Sequence, residues 1–380
     1  MWKVQLFKLN YDDREVSAVA ETVKSGWLTM GEQTENFESN FALFMGSDVR
    51  ATAVSSGTAA LHLSLLSLGI APGDEVIIPS LSFVADINTV KIVGATPVLA
   101  DCTSLNDWNI NPIEIERKIT PKTKAIMIVH YAGYPCSMES ILPLCKRHGL
   151  KLIEDCAHAP GATFKGKSVG TFGDFGCFSF FSNKNLSVGE GGMVTTVSEK
   201  NNDAVKLLRS HGMTSLTLDR HKGRAISYDV ARPGLNFRID EMRAALGIVQ
   251  LAKIEEANQQ RSRIVERYIE ALHDIDDLII PFSQEVRDVK PAYHIFTVLL
   301  PKQCDRLSVI DELKRQGVQS SIHYPAFQEF SAYENTRLGE TPIANEISKR
   351  ELTLPLYPTM SDEELDTVIT AFRKAIFINQ

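Results

Sequence analysis

At 380 residues the chain is too long for a small module and leaves room for two or three domains. A hydrophobic share of 44% beside 23% charged residues is ordinary globular composition and excludes wholesale disorder. Forty basic against 47 acidic residues give a net charge of −7 with no long run of either sign, which argues against nucleic acid as the main partner.

The amino terminus, Trp2 to Phe7, turns polar at Asn10-Tyr11-Asp12-Asp13-Arg14 and lacks the apolar core of a signal peptide. No apolar stretch approaches the roughly 18 residues that span a bilayer, so no membrane partner and a cytoplasmic location are expected. Cys102, Cys136, Cys145, Cys156, Cys177 and Cys304 form no C-x-x-C pair, so reduced thiols are expected and structural zinc is not.

In chain order, Asp12 to Ser25 reads as a helix, with Val16, Val19, Ala20 and Val23 at helical spacing and Gly26 as the stop. From about residue 50 to 200 short apolar runs follow: Glu75–Pro79, Thr96–Ala100, Ala125–His130, Lys151–Asp155 and Gly192–Val197. They alternate with helical stretches such as Thr58–Leu68 and Met138–His148. Strands separated by helix-length connections predict an α/β large domain, residues 1–250, with a mainly parallel sheet between helices. Ile239–Ile254 continues as a helix into Glu255–Leu272, which leaves the boundary anywhere between about 250 and 280. Ile295–Leu300 and Gln319–His323 read as strands, Arg306–Gln316 and Ser361–Phe377 as helices, so residues 251–380 predict a smaller α+β domain.

Three constellations carry chemistry. Ser55-Ser56-Gly57-Thr58 precedes a helix, where free N–H groups and hydroxyls bind phosphate, although a plain N-cap uses the same residues. Asp155 ends an apolar strand, at the carboxyl edge where open α/β sheets place ligands, although a solvated acid fits there too. Lys184 leaves the aromatic run Phe178–Phe181 and enters a glycine-rich turn; most lysines are surface groups, but a desolvated amine titrates lower and condenses with aldehydes. A phosphate anchor, a strand-end aspartate and a strand-end lysine, in that order on one sheet, are the parts that hold pyridoxal 5'-phosphate.

The chain resembles the DegT/StrS-type sugar-nucleotide aminotransferases of the aspartate aminotransferase fold class. The resemblance runs through Gly26-Trp27-Leu28-Thr29-Met30-Gly31, Ser55–Thr58, Pro72–Val76, Ser82–Ala85, Gly94–Val98 and Glu154-Asp155. It continues through Ser179–Gly192, Gly234–Arg238, Ile322–Pro325 and Leu354–Pro358, so it covers nearly the whole chain.

That resemblance implies a role for each matching residue. Lys184 forms the Schiff base with the cofactor, Asp155 partners the pyridine nitrogen, and His158 lies near the phenolic oxygen. Phe83 stacks on the ring; Ser56, Gly57, Thr58 and Ser179 cradle the phosphate. Asn236 reaches the phosphate of the neighbouring subunit's cofactor, which implies a homodimer with shared active sites. Arg238, His323 and Tyr324 lie on the substrate side. Cys156 and Phe237 depart from the family pattern, which commonly has alanine and tyrosine there; the second change removes a hydroxyl. The implied reaction moves an amino group from L-glutamate to a nucleotide-linked 4-keto-6-deoxyhexose. A 3-keto sugar nucleotide or a keto-cyclitol is the alternative acceptor, and a non-catalytic cofactor-binding regulator the alternative class. Lys184 favours transamination over the family's dehydratase branch, which has histidine there. A dinucleotide-dependent oxidoreductase lacks support, because no glycine fingerprint follows the first strand. Loops such as Thr214–Asp229 are expected to shape the sugar pocket.

Overall fold

Asp12 opens the first helix, α1 (Asp13–Ser25), with a capping box: its carboxylate accepts Arg14 N–H, and Glu15 accepts Asp12 N–H at 2.8 Å. Gly26, at φ 75°, ends it. The computed structural model describes residues 2–215, 223, 227–284, 286–334, 336 and 339–379. Most of the Thr214–Asp229 loop, residues 216–222 and 224–226, therefore lies outside the described residues.

Seven strands form the main sheet: β1 (Arg50–Val54), β2 (Glu75–Pro79), β3 (Thr96–Ala100), β4 (Thr123–Val129), β5 (Lys151–Asp155), β8 (Phe175–Ser179) and β9 (Gly192–Thr196). Their order is β1-β9-β8-β5-β4-β2-β3; β9 runs antiparallel to both neighbours and the other pairings are parallel. Short strands β6 (Thr163–Phe164) and β7 (Lys167–Ser168) join β10 (Val289–Lys290) in a separate sheet.

Side chains alternate across the main sheet as strand geometry demands. Val76, Ile78, Ala125 and Met127 point to the side covered by α3 (Gly57–Ser67), α4 (Val84–Ile92) and α7 (Glu199–Arg209). Ile77, Ile126 and Ile128 point to α5 (Pro112–Lys118) and α6 (Met138–His148). Near β1, β8 and β9, the helix α2 (Glu32–Met45) buries Phe37, Phe41 and Met45 against the long helix α8 (Glu241–Leu272). The expected large α/β layer structure is thus what the chain adopts.

α8 joins two cores. Ala244, Leu251 and Ile254 pack with α2, whereas Ile264, Val265, Tyr268 and Leu272 pack with the carboxyl-terminal elements. Those are β11 (Phe296–Leu299) paired antiparallel with β12 (Glu351–Leu354), plus α9 (Arg306–Arg315), α10 (Pro342–Arg350) and α11 (Asp362–Asn379). The expected strand at Gln319–His323 is not formed. Ser321 makes one isolated bridge to Thr353, and His323 N–H then turns to Glu351 Oε2 at 2.8 Å, which ends the ladder.

The apolar spacing of α1 also faces unexpectedly. Val16 and Val23 are exposed, while Glu15 and Thr22 are buried. Glu15 can be buried because Lys253 and Gln250 of α8 meet it at 2.6 and 2.7 Å. All six cysteines are buried and free. Among the described residues no helix is long and apolar enough to cross a membrane.

Candidate active site

The register of three strands builds the site. Gly192 pairs with both Val54 and Ser179, so the end of β1, the end of β8 and the start of β9 lie level. The helix start after β1 therefore meets Ser179. A Cβ on Gly57 would come within 2.8 Å of Ser179 Cβ, and one on Gly192 within 2.5 Å of the Ser56 carbonyl carbon, so glycine alone permits this approach. Ser56 caps α3 by accepting Ala59 N–H at 3.1 Å. Gly57 and Thr58 N–H have no partner among the described residues, and these donors with the Ser179 hydroxyl can take an anion of phosphate size.

Asp155 ends β5 one strand away, level with Cys177 of β8. It is buried, accepts Ala157 N–H at 2.7 Å, and burial raises its pKa against the opposing effects of that N–H and of Lys184. Its neighbour Glu154 faces away. Glu154 accepts the N–H groups of Gly170, Phe172 and Gly173, each at 2.8 Å, and meets His130 Nε2 at 3.1 Å, which ties down the loop before β8.

Lys184 sits in the turn after β8, its N–H donating to Phe181 O at 2.9 Å. Burial lowers its amine to about 8, with Asp155 acting in the opposite direction. The amine meets His294 Nε2 at 3.4 Å. The proton positions there follow from definite acceptors. Asn185 Nδ2 donates to Ala292 O and to Asn258 Oδ1, so Asn185 Oδ1 accepts from His294 Nδ1 at 2.9 Å. His294 Nε2 is then the bare nitrogen that faces Lys184, and burial holds His294 neutral.

The same logic fixes His158. Its Nδ1 accepts Ala132 N–H at 3.2 Å, so Nε2–H donates to Tyr324 Oη at 3.0 Å. Burial keeps His158 neutral and raises the Tyr324 hydroxyl. Phe83 presents a ring that is 54% exposed, centred 5.7 Å from that of Tyr324. His323 is buried, bonded through Nδ1 to Thr353 Oγ1 at 2.8 Å and held down to about 3 by burial.

The structure thus brings Lys184, Asp155, His158, Tyr324 and His323 around one space, beside the Ser56–Thr58 helix start and Ser179. Asn236 and Arg238 stand apart. Their segment runs along the helix start, with Ser55 N–H donating to Phe237 O at 2.8 Å. Neither side chain has a hydrogen bond among the described residues, and Asn236 is exposed. Phe237 fills space beside His62, at 5.8 Å between rings.

A family model described as the DegT/DnrJ/EryC1/StrS aminotransferase family matches residues 10–373. The chain belongs to this family. It is 39% identical to the spore coat polysaccharide biosynthesis protein SpsC of Bacillus subtilis over 95% of this chain and 94% of that one. Helicobacter pylori PseC, an aminotransferase involved in the biosynthesis of pseudoaminic acid, superposes with a TM-score of 0.91 at 29% identity, covering 99% of each chain. Streptococcus pneumoniae Spr1654, a sugar aminotransferase by its description, has been solved in a PMP form that superposes at 0.91 with 29% identity over 98% of each chain. Sequence reading of the site missed Asp86, Asn185 and His294 of this aminotransferase chain. Nothing local marks Asp86 or His294: Asp86 stands in a helix that also carries Asn88, Thr89 and Lys91, and His294 lies two residues before a strand.

Proposed function

We propose that this chain is a pyridoxal 5'-phosphate-dependent aminotransferase that moves an amino group from L-glutamate to a nucleotide-linked keto-deoxysugar, with a 4-keto-6-deoxyhexose as acceptor. The observation that carries the reading is a lysine amine lowered to about 8 at the same sheet edge as a buried aspartate and an anion-ready helix start. Bound there, the cofactor supplies an aldehyde for the amino group and a ring that accepts the electron pair from the donor's α-carbon.

The chain's own residues do the rest. Ser56, Gly57, Thr58 and Ser179 would hold the phosphate, and Phe83 would hold the ring. Asp155 would keep the ring nitrogen protonated, and the hydrogen-bonded pair His158 and Tyr324 would hold the phenolic oxygen. Lys184 Nζ is the group that would take the proton from the donor's α-carbon and deliver it to the cofactor's former aldehyde carbon, and in the second half-reaction would move a proton from that carbon to the sugar carbon. An amine near 8 has an appreciable free-base fraction at neutral pH, which both roles need. His323 and Tyr324 would face the sugar nucleotide, Arg238 is assigned to the substrate side by the family resemblance alone, and residues 1–250 form the cofactor-binding unit.

Incubating the protein with pyridoxal phosphate, L-glutamate and a panel of 4-keto and 3-keto sugar nucleotides and keto-cyclitols tests this directly. The expected result is an aminated 4-keto-6-deoxyhexose nucleotide by mass, with 2-oxoglutarate formed in equal amount. Amination of the cyclitol alone would assign the other substrate class. Absence of any aminated product and of 2-oxoglutarate would overturn the reading.

A homodimer with shared sites follows from the same reading. Asn236 is exposed and has no hydrogen bond within its own chain among the described residues, as a side chain directed at a partner's phosphate requires. Lys184→Ala and Asn236→Asp subunits, each inactive alone, are expected to regain activity on mixing, because one site of the mixed dimer holds both native residues. Asparagine is also a frequent turn residue, and in that role mixing restores nothing.

A further inference from the structure

The first turn of α4 holds an acid that the proposed reaction does not use. Asp86 is fully buried, in a helix whose other buried positions are Ala85, Ile87, Thr89 and Val90. Ser82 Oγ donates to Asp86 Oδ2, and Oδ1 is buried without any N–H or O–H donor. The group that Asp86 meets instead is the carboxyl of Asp155, within hydrogen-bonding reach. A buried oxygen without a donor is costly, and two buried carboxylates in contact do not both stay ionised. A single proton between them removes both difficulties.

The surroundings decide which acid carries it. Asp155 accepts Ala157 N–H and lies in the field of Lys184, both of which favour its charge. Asp86 has the Ser82 hydroxyl, and the other titratable groups that face it are Asp155, Cys177 and Tyr324, none of which is a cation. We propose that Asp86 holds a proton at neutral pH and donates it through Oδ1 to Asp155, so that the pair bears one negative charge and Asp86 is a positioning residue for Asp155. The functional consequence rests on the reading of Asp155 as the acid beside the ring nitrogen; the shared proton does not. With two donors upon it, Asp155 is fixed in orientation and is a weaker base than a lone buried carboxylate.

Asp86→Asn separates the possibilities, because its amide N–H replaces the O–H as donor but cannot ionise. In infrared difference spectra of the apoprotein at neutral pH, the wild type should show a protonated-carboxyl band that Asp86→Asn lacks. Glu351, raised to about 7 by burial, contributes equally to both proteins and cancels. In titrations with pyridoxal phosphate, Asp86→Asn should bind within about threefold of wild type. Asp86→Ala, which removes the donor, should bind roughly tenfold or more weakly.

If Asp86→Ala does not fold, the pH dependence of apoprotein stability gives the same answer. The unfolded chain sheds the Asp86 proton in the ordinary carboxylate range while the folded chain keeps it, so wild-type stability falls as pH rises through that interval. Asp86→Asn should lack this fall. Identical pH slopes, no protonated band in the wild type, or an Asp86→Asn as weak as Asp86→Ala would each overturn the shared proton. Unchanged cofactor binding and turnover in Asp155→Asn, with the band present, would instead overturn the reading of Asp155.

Discussion

Lys184→Ala is expected to abolish transamination while pyridoxal phosphate still binds noncovalently. The Ser56–Thr58 helix start, Ser179 and Asp155 do not depend on the lysine, so the anchor survives. What disappears is the nucleophile and the mover of the proton, and proton transfer by a positioned group alone contributes about 10²- to 10⁴-fold. Arginine at this position should not rescue, because its guanidinium stays protonated. Borohydride reduction followed by peptide mapping should label Lys184 in the wild type and nothing in the variant; a label on another lysine would refute the assignment. The variant also has a signature without cofactor. Burial lowers Lys184 from 10.5 to about 8, so below about 8 the folded wild type carries a poorly solvated charge that is fully solvated in the unfolded chain. The apoprotein of Lys184→Ala should gain stability relative to wild type there, and the gain should shrink as pH rises from about 8 towards 10.5.

Much of the fold was legible because the buried strands announce themselves. Glu75–Pro79, Thr96–Ala100 and Lys151–Asp155 are apolar runs bounded by turn residues, and the structure gives them the same limits. β1 was not legible: Arg-Ala-Thr-Ala-Val has little bulk, and it is buried only because Phe37, Phe41 and α7 cover it. α1 was legible as a helix but its inward face was not, since an ion pair with Lys253, more than two hundred residues away, decides that Glu15 goes inside. Gln319–His323 failed as a strand for a similar reason, with Glu351 drawing His323 N–H off the ladder.

The candidate site divides in the same way. Asp155 lies at the end of a strand, Lys184 in the glycine-rich turn that follows one and Ser56 at the start of a helix, and such positions show in local pattern. Asp86 and His294 do not. His294 matters through contact with Lys184 across 110 residues, and Asp86, on a helix, through contact with Asp155 at the end of β5. Local sequence records neither distance. The resemblance to the family supplied the roles of the first group and was silent on the second.

Asp155→Asn should lower turnover far more than cofactor affinity. The amide keeps the shape, and its oxygen can still accept Ala157 N–H, so the end of β5 stays in place. It cannot carry the negative charge that holds a ring nitrogen protonated. Loss of a charge-assisted hydrogen bond is worth ~1.5–3 kcal/mol, or roughly ten- to a hundredfold in rate, before the weaker electron withdrawal by a neutral ring is counted. Affinity should change less, because the phosphate cradle and Phe83 are untouched. Single-turnover kinetics with L-glutamate, set beside a pyridoxal phosphate titration, separates the two. Parallel loss of both would mark Asp155 as structural, and near-normal turnover would remove it from the mechanism. The pH profile adds a sign. Burial raises the Asp155 pKa, so its charge is lost as pH falls through that raised value, and the wild-type rate should fall on the acid side. Asparagine has no proton to gain there, and the acid limb due to this group should be missing from the variant.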